Sequence, residues 1–210
     1  MNDIVLNDDE KVEQIKQWWK RYGNLIITVI IIALLAIVGW QYWQRHQQKI
    51  AAQASTTYDA VLVALSRHEQ AALQGNVNQL QQDYRTTPYA AFATLLLAGD
   101  VVNQGDLVQA EKQLRWVIAN SAQTTLVELA QIRLARLLLT KNQPQPALTL
   151  LNTISSRVYP VQVAMIKGQV LTKLAKLSEA RVAYTQALKA LPENASIKSM
   201  LQALLNDIPQ

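Results

Sequence analysis

Ser178-Glu179-Ala180-Arg181-Val182-Ala183-Tyr184-Thr185-Gln186-Ala187-Leu188-Lys189-Ala190-Leu191-Pro192 is the stretch that decides the fold. Ala180, Tyr184, Ala187, Leu188 and Pro192 give small, aromatic, small, apolar and proline at fixed helical offsets, and Gly168 stands twelve residues before Ala180. The same spacing occurs twice more upstream. Ala147 pairs with Ala135 and is followed by Leu151 and Ile154. Ala110 pairs with Ala98 and is followed by Leu114 and Val117, with Gly105-Asp106 as a turn between the pair. The second-helix alanines recur at offsets of 37 and 33 residues. Two antiparallel helices approach closely only where each offers a small side chain, so Ala98, Ala110, Ala135, Ala147, Gly168 and Ala180 are the expected helix-crossing positions.

This is the second-half pattern of a tetratricopeptide repeat, whose period is about 34 residues. Three tandem copies predict an all-α helical-repeat solenoid with three helix pairs over residues 89–192. A solenoid needs capped ends. Ile197, Met200, Leu201, Leu204 and Leu205 mark one face of a C-terminal capping helix within 193–210. Upstream, Ile50, Ala54, Tyr58, Val61, Leu62 and Leu65 recur at helical spacing. Residues 44–88 therefore read as an amphipathic linker helix and a degenerate first pair. A break is expected at Gly75-Asn76 and a turn at Thr86-Thr87-Pro88.

Further toward the N-terminus the sequence changes character. Leu25 to Trp40 is sixteen residues with Thr28 the only polar one. With its flanks, 23–43 is a transmembrane segment of about 30 Å, the thickness of a bilayer core. Leu25, Ile26, Ile30, Leu34, Val38 and Trp40 form the membrane anchor. Trp18, Trp19 and Tyr22 before it, and Tyr42 and Trp43 after it, form the interface belt, because amphipathic rings settle at headgroup level. Ala52-Gln53-Ala54 has the form of a cleavage site. It lies too far past the apolar core and beyond Arg45, His46 and Lys49 to serve as one, so the segment reads as an uncleaved anchor. Lys11, Lys16, Lys20 and Arg21 precede the span, against Arg45 and Lys49 after it. That bias places residues 1–22 in the cytoplasm and the repeats across the membrane, which in a bacterium is the periplasm. Val12, Ile15, Trp18, Trp19 and Tyr22 share a face behind an Asn7-Asp8-Asp9-Glu10 cap, as in an interfacial helix.

Composition narrows the chemistry. The 210 residues carry 20 Lys+Arg against 15 Asp+Glu, no cysteine, six glycines and six prolines. Disulfide frameworks, thiolate metal sites and cysteine nucleophiles are excluded, and the positive charges are too dispersed for a nucleic-acid surface. His46 and His68 are the only histidines and stand far apart, with no carboxylate or second histidine at ligand spacing. Phosphate-binding loops, nucleophile elbows and paired carboxylates are missing too. The expectation is a binding protein, not an enzyme, with no cofactor and no small-molecule substrate. Asn194-Ala195-Ser196 matches the glycosylation sequon, a pattern too short to carry weight.

Binding by such a repeat uses the first helix of each pair. The register selects Phe92, Leu95, Gly99 and Val102, then Leu129, Ile132, Arg136 and Leu139, then Gln162, Met165, Gln169 and Lys173. The apolar members Phe92, Leu95, Val102, Leu129, Ile132, Leu139 and Met165 form the candidate partner groove. It suits an amphipathic helix or an unfolded apolar segment. Packing against neighbouring helices is the competing reading of the same side chains.

Val12-Glu13, Ile15-Lys16, Trp18-Trp19, Gly23, Gly39-Trp40, Tyr42-Trp43 and His46-Gln47 together resemble the YfgM family, and the likeness extends over nearly the whole chain. The resemblance implies a single-pass inner-membrane protein with a periplasmic repeat domain. It also implies an ancillary subunit of the SecYEG translocon that works with the membrane-anchored periplasmic chaperone PpiD on newly translocated proteins. A purely structural scaffold, joining envelope complexes without touching client chains, is the alternative.

Overall fold

A computed structural model describes residues 6–155, 157–192 and 195–208; the side chains of 6–11, 14, 17 and 26, Ile26 of the expected anchor among them, lie outside that description. The described residues form helices and no strand: α1 (Leu6–Ser66), α2 (Gln70–Asp83), α3 (Pro88–Asn103), α4 (Leu107–Asn120), α5 (Thr124–Thr140), α6 (Pro144–Asn152), α7 (Pro160–Lys173), α8 (Leu177–Ala190) and α9 (Lys198–Asn206). The chain divides into two compact units, Met1–Ile50 and Ala51–Gln210.

Within the first unit α1 is long and apolar enough to cross a membrane. Leu25, Ile30, Leu34, Val38 and Trp40 are all exposed, as are Trp18, Trp19, Tyr22, Tyr42 and Trp43. Trp18 stacks on Tyr22 with ring centroids 5.8 Å apart, and Trp40 on Trp43 at 5.4 Å. The one polar side chain of the apolar block is satisfied locally, since the Thr28 hydroxyl donates to the Asn24 carbonyl at 2.8 Å. The helix is already formed at Leu6, ahead of the expected Asn7 cap. Asn194 of the sequon lies outside the described residues.

The second unit is built by local chemistry repeated along the chain. Pro88, Pro144 and Pro160 open α3, α6 and α7, where a missing N–H costs nothing. Asp106 caps α4 by accepting from the Gln109 N–H at 2.9 Å. From α2 to α9 consecutive helices pack against one another, and α3 meets α5 and α5 meets α7 in the next layer, which is the contact order of a solenoid. Ala90, Ala93, Leu97, Leu114, Leu134, Leu151, Ile166 and Tyr184 run through one continuous core.

Four turns share one geometry. His68, Gly105, Asn142 and Ala175 all have positive φ, 56°, 84°, 57° and 58°. In each, that residue's N–H and the next one close back on the preceding helix. Asp106 N–H donates to Val101 O at 2.9 Å, Gln143 to Leu138 at 2.8 Å, Lys176 to Leu171 at 2.9 Å and Glu69 to Ala64 at 2.9 Å. This is the left-handed C-terminal cap that satisfies orphan carbonyls. The end of α1 and α2 therefore form a hairpin of the same kind as α3/α4, α5/α6 and α7/α8.

That corrects the expected helix break. It falls at Arg67-His68-Glu69, and Gly75 and Asn76 lie inside α2, where a glycine is tolerated at a cost of about 1 kcal/mol. In the first hairpin Val61 and Leu73 occupy the places that Ala98 and Ala110 hold in the second, and both are buried. A buried polar cluster joins these two hairpins. The Gln81 amide donates to Thr94 Oγ1 at 3.0 Å and to Gln113 Oε1 at 2.8 Å, and the Thr94 hydroxyl donates to the Ala90 carbonyl at 2.7 Å.

Alanine in the left-handed region is strained by about 1–2 kcal/mol. Ala175→Gly is therefore expected to raise stability by about 0.5–1 kcal/mol after the added chain entropy of glycine is subtracted. The measurement is the thermal midpoint of the purified protein; an unchanged or lower midpoint would show that the turn is not held left-handed.

Candidate functional site

The first helices of the hairpins present their outward rows side by side. A groove of about 510 Å³ opens between α3 and α5, lined by Leu95, Leu96, Gly99 and Val102 of α3, by Arg133, Arg136, Leu137 and Thr140 of α5, and by Leu65 at the end of α1. The lining residues of α5 recur every three or four positions and form a single face, whereas α3 contributes a broader surface between Leu95 and Asn103. Phe92 lies one turn before Leu95 on the same face, is 40% exposed, and stacks on Tyr58 with ring centroids 6.4 Å apart.

The groove takes in only part of the apolar set expected from sequence. Leu95 and Val102 line it, with Gly99 and Arg136 of the same register. Leu95 is nevertheless 4% exposed, so it forms floor and not wall. Ile132 is equally buried at 4% and belongs to the core, while Leu129, Leu139 and Met165 are partly buried against it. The crossing candidates Ala98, Ala110, Ala135, Ala147 and Ala180 are buried, and Gly168 is too. At Gly168 the reason is visible: a β-carbon there would lie 2.6 Å from the Tyr184 ring. Burial also pushes the Tyr184 phenol above its usual range.

Arg133 and Leu107 are lining residues that the apolar register does not select. The signal for Arg133 was its place one turn before Arg136, on a helix that is otherwise mostly apolar. The Arg133 guanidinium donates to the Leu95 carbonyl at 3.1 Å, which holds its head across the groove floor. The one acid in the lining, Asp100, already accepts from Gln70 Nε2 at 2.9 Å and Gln104 Nε2 at 2.6 Å. Among the described residues no three metal-ligating side chains cluster.

Beside the groove, Glu111 of α4 bridges two cations. It accepts from Lys141 Nζ at 2.6 Å and from Arg115 Nε at 2.9 Å. The hydrogen bond from Lys141, then that from Arg115, holds its carboxyl below the usual carboxylate range. A carboxylate with a lowered folded pKa stabilises above its unfolded value and loses that contribution as pH falls through the folded one. Glu111→Gln is expected to cost about 1 kcal/mol at neutral pH, and the gap to wild type should close as pH drops below about 4. Denaturant midpoints against pH check it; a gap that stays constant down to acid would mean that charge plays no part.

Comparison with known proteins fits this geometry. A family model described as a tetratricopeptide repeat-like domain matches residues 16–210. A protein named "Ancillary SecYEG translocon subunit" from Haemophilus influenzae is 30% identical over 165 residues, 79% of this chain and 80% of its own length. The chain belongs to the YfgM family. YfgM-family proteins of the same name from Escherichia coli K12 and Neisseria gonorrhoeae are each 27% identical, covering 98% and 97% of this chain and 98% of their own length. The likeness to these two YfgM relatives thus includes the apolar N-terminal helix as well as the repeats.

Proposed function

We propose that this chain is a membrane-anchored, non-catalytic binding protein that serves as an ancillary subunit of the SecYEG translocon. The observation that carries the reading is the end-to-end match to relatives bearing that name, anchor and repeats together. Physical chemistry supports it independently. A helix whose described apolar residues between Leu25 and Trp40 are exposed, flanked by aromatic side chains, needs a lipid surround. A solenoid with an open groove, and with no trio of metal-ligating side chains among its described residues, is suited to hold a partner.

In this reading residues 1–22 are cytoplasmic and 23–43 span the inner membrane. The repeats and their cap lie in the periplasm, in keeping with four cations before the span and two after it. There the domain joins the membrane-anchored chaperone PpiD in assisting newly translocated proteins. Purification of the full chain in a mild detergent should bring SecYEG subunits and PpiD with it. Loss of SecYEG would overturn the assignment, and loss of PpiD alone would remove the chaperone partnership. A photocrosslinker at Val102 should trap secreted chains during export; adducts with fixed partners only would make the protein a scaffold.

A further inference from the structure

We infer that the groove between α3 and α5 takes a protein segment that carries a carboxylate beside its apolar row. This rests on the binding role proposed above and names the chemistry of the ligand at the same site.

The argument starts from an asymmetry between two equivalent positions. Gly99 and Arg136 each stand six residues before the left-handed turn residue of their hairpin, Gly105 and Asn142. They therefore occupy the same place on successive first helices. At that level α3 offers bare backbone, with nothing within 4 Å of where a Gly99 β-carbon would sit. Across from it α5 offers a guanidinium. Above and below Gly99, Leu95, Leu96 and Val102 give the α3 side an apolar row, with Asp100 and Asn103 as the polar members of that side, while Arg133 repeats the positive charge one turn before Arg136 on the α5 side.

Two like charges on neighbouring turns of one helix destabilise it slightly unless an anion sits between them. The fold does not supply one. Neither Arg133 nor Arg136 has a carboxylate within 4.0 Å among the described residues, and Asp100 is held by two glutamine amides. Arg133 spends one of its five N–H groups on the Leu95 carbonyl, and that anchor fixes where the next acceptor must lie. An incoming carboxylate would find charge-assisted, fork-shaped donors at the rim, and its apolar neighbours would cover Leu95, Leu96 and Val102. The bare backbone at Gly99 leaves room for the ligand's side chains to approach α3. An apolar row on one side and an acid row on the other also fixes the orientation in which such a segment lies.

The test uses the full chain in phosphatidylcholine nanodiscs, with empty discs as the blank. The probes are fluorescein-labelled peptides of about ten residues with leucines on one row and glutamates on the next, and a copy with glutamines in place of the glutamates. A third copy carries lysines. Anisotropy should show the glutamate peptide binding about tenfold more tightly than the glutamine peptide. The Arg136 side chain is exposed and forms no ion pair with the described residues, so Arg136→Glu should leave melting unchanged while making the lysine peptide the preferred one. Val102→Ser, which removes apolar contact without adding charge, should weaken the glutamate and glutamine peptides alike.

Equal affinity for those two peptides in the wild-type chain would overturn the inference. So would a preference that survives Arg136→Glu, or displacement of the glutamate peptide by short-chain phosphatidylglycerol with the same Arg136 dependence, which would make the groove a lipid-headgroup site. If SecYEG still co-purifies in any of these cases, the proposed function stands and only the ligand chemistry falls. If SecYEG fails to co-purify, the functional reading itself has failed.

Discussion

Gly168→Ala is expected to destabilise the repeat domain by about 3 kcal/mol, because the new methyl has no place to go. A β-carbon there falls 2.6 Å, 2.7 Å and 2.8 Å from three carbons of the Tyr184 ring. The ring cannot swing aside, since Tyr184 is only 2% exposed and is the largest fully buried side chain of the core. Either α7 and α8 separate or the ring is forced from its rotamer. Tyr184→Leu separates the clash from other effects. Alone it should cost about 1–3 kcal/mol through the space it leaves, yet in that background Gly168→Ala should cost much less. Denaturant unfolding of the four proteins in the cycle measures the coupling. If Gly168→Ala cost the same in both backgrounds, the ring would not be the obstacle and this close approach would not set the helix spacing.

Ile132→Asp and Ala135→Asp should both unfold the domain, each by about 4 kcal/mol or more, enough to consume much of the stability of a typical domain. The sequence register puts Ile132 on the groove and Ala135 at a helix crossing, which on its own would predict a folded Ile132→Asp protein and an unfolded Ala135→Asp one. In the structure Ile132 is 4% exposed and Ala135 0%, and an aspartate at either place would be a charge without water. Val102→Asp is the contrasting case, because Val102 is 39% exposed on the groove wall and its replacement should leave the helical signal intact. Circular dichroism of the three variants decides it. A folded Ile132→Asp protein would show that α5 rotates its Ile132 face toward solvent.

Much of this architecture is legible in single residues. Ala110, Ala147 and Ala180 announce three hairpins because helices approach most closely where both offer a small side chain, and Pro88, Pro144 and Pro160 stand at helix starts. The first hairpin is concealed for the same reason in reverse. Val61 and Leu73 stand where small residues stand elsewhere, so no small-residue pair marks it. Its turn residue is histidine, a much weaker signal for positive φ than glycine, while Gly75 sits inside a helix and gives a false one. The groove was harder still. A residue on the first helix of a hairpin faces outward, but whether it is wall or floor depends on how far the neighbouring helix leans over it. Spacing alone cannot separate Val102 from Ile132. Arg133 escapes an apolar template entirely, although it reaches the Leu95 carbonyl across the groove.

The glutamine at position 81 gives the folding chain a way to reject wrong alignments. A hairpin with Val61 and Leu73 in place of small residues could slide by a turn against its neighbour and still bury greasy surface. Such a slide would strand the buried Gln113 amide without its Gln81 partner, a penalty of about 1–3 kcal/mol for each lost donor or acceptor. Hydrocarbon contact rewards any snug arrangement, whereas an amide accepts only the one that completes its bonds. The end of the array with the least distinctive steric fit is thus the one that carries a polar combination lock.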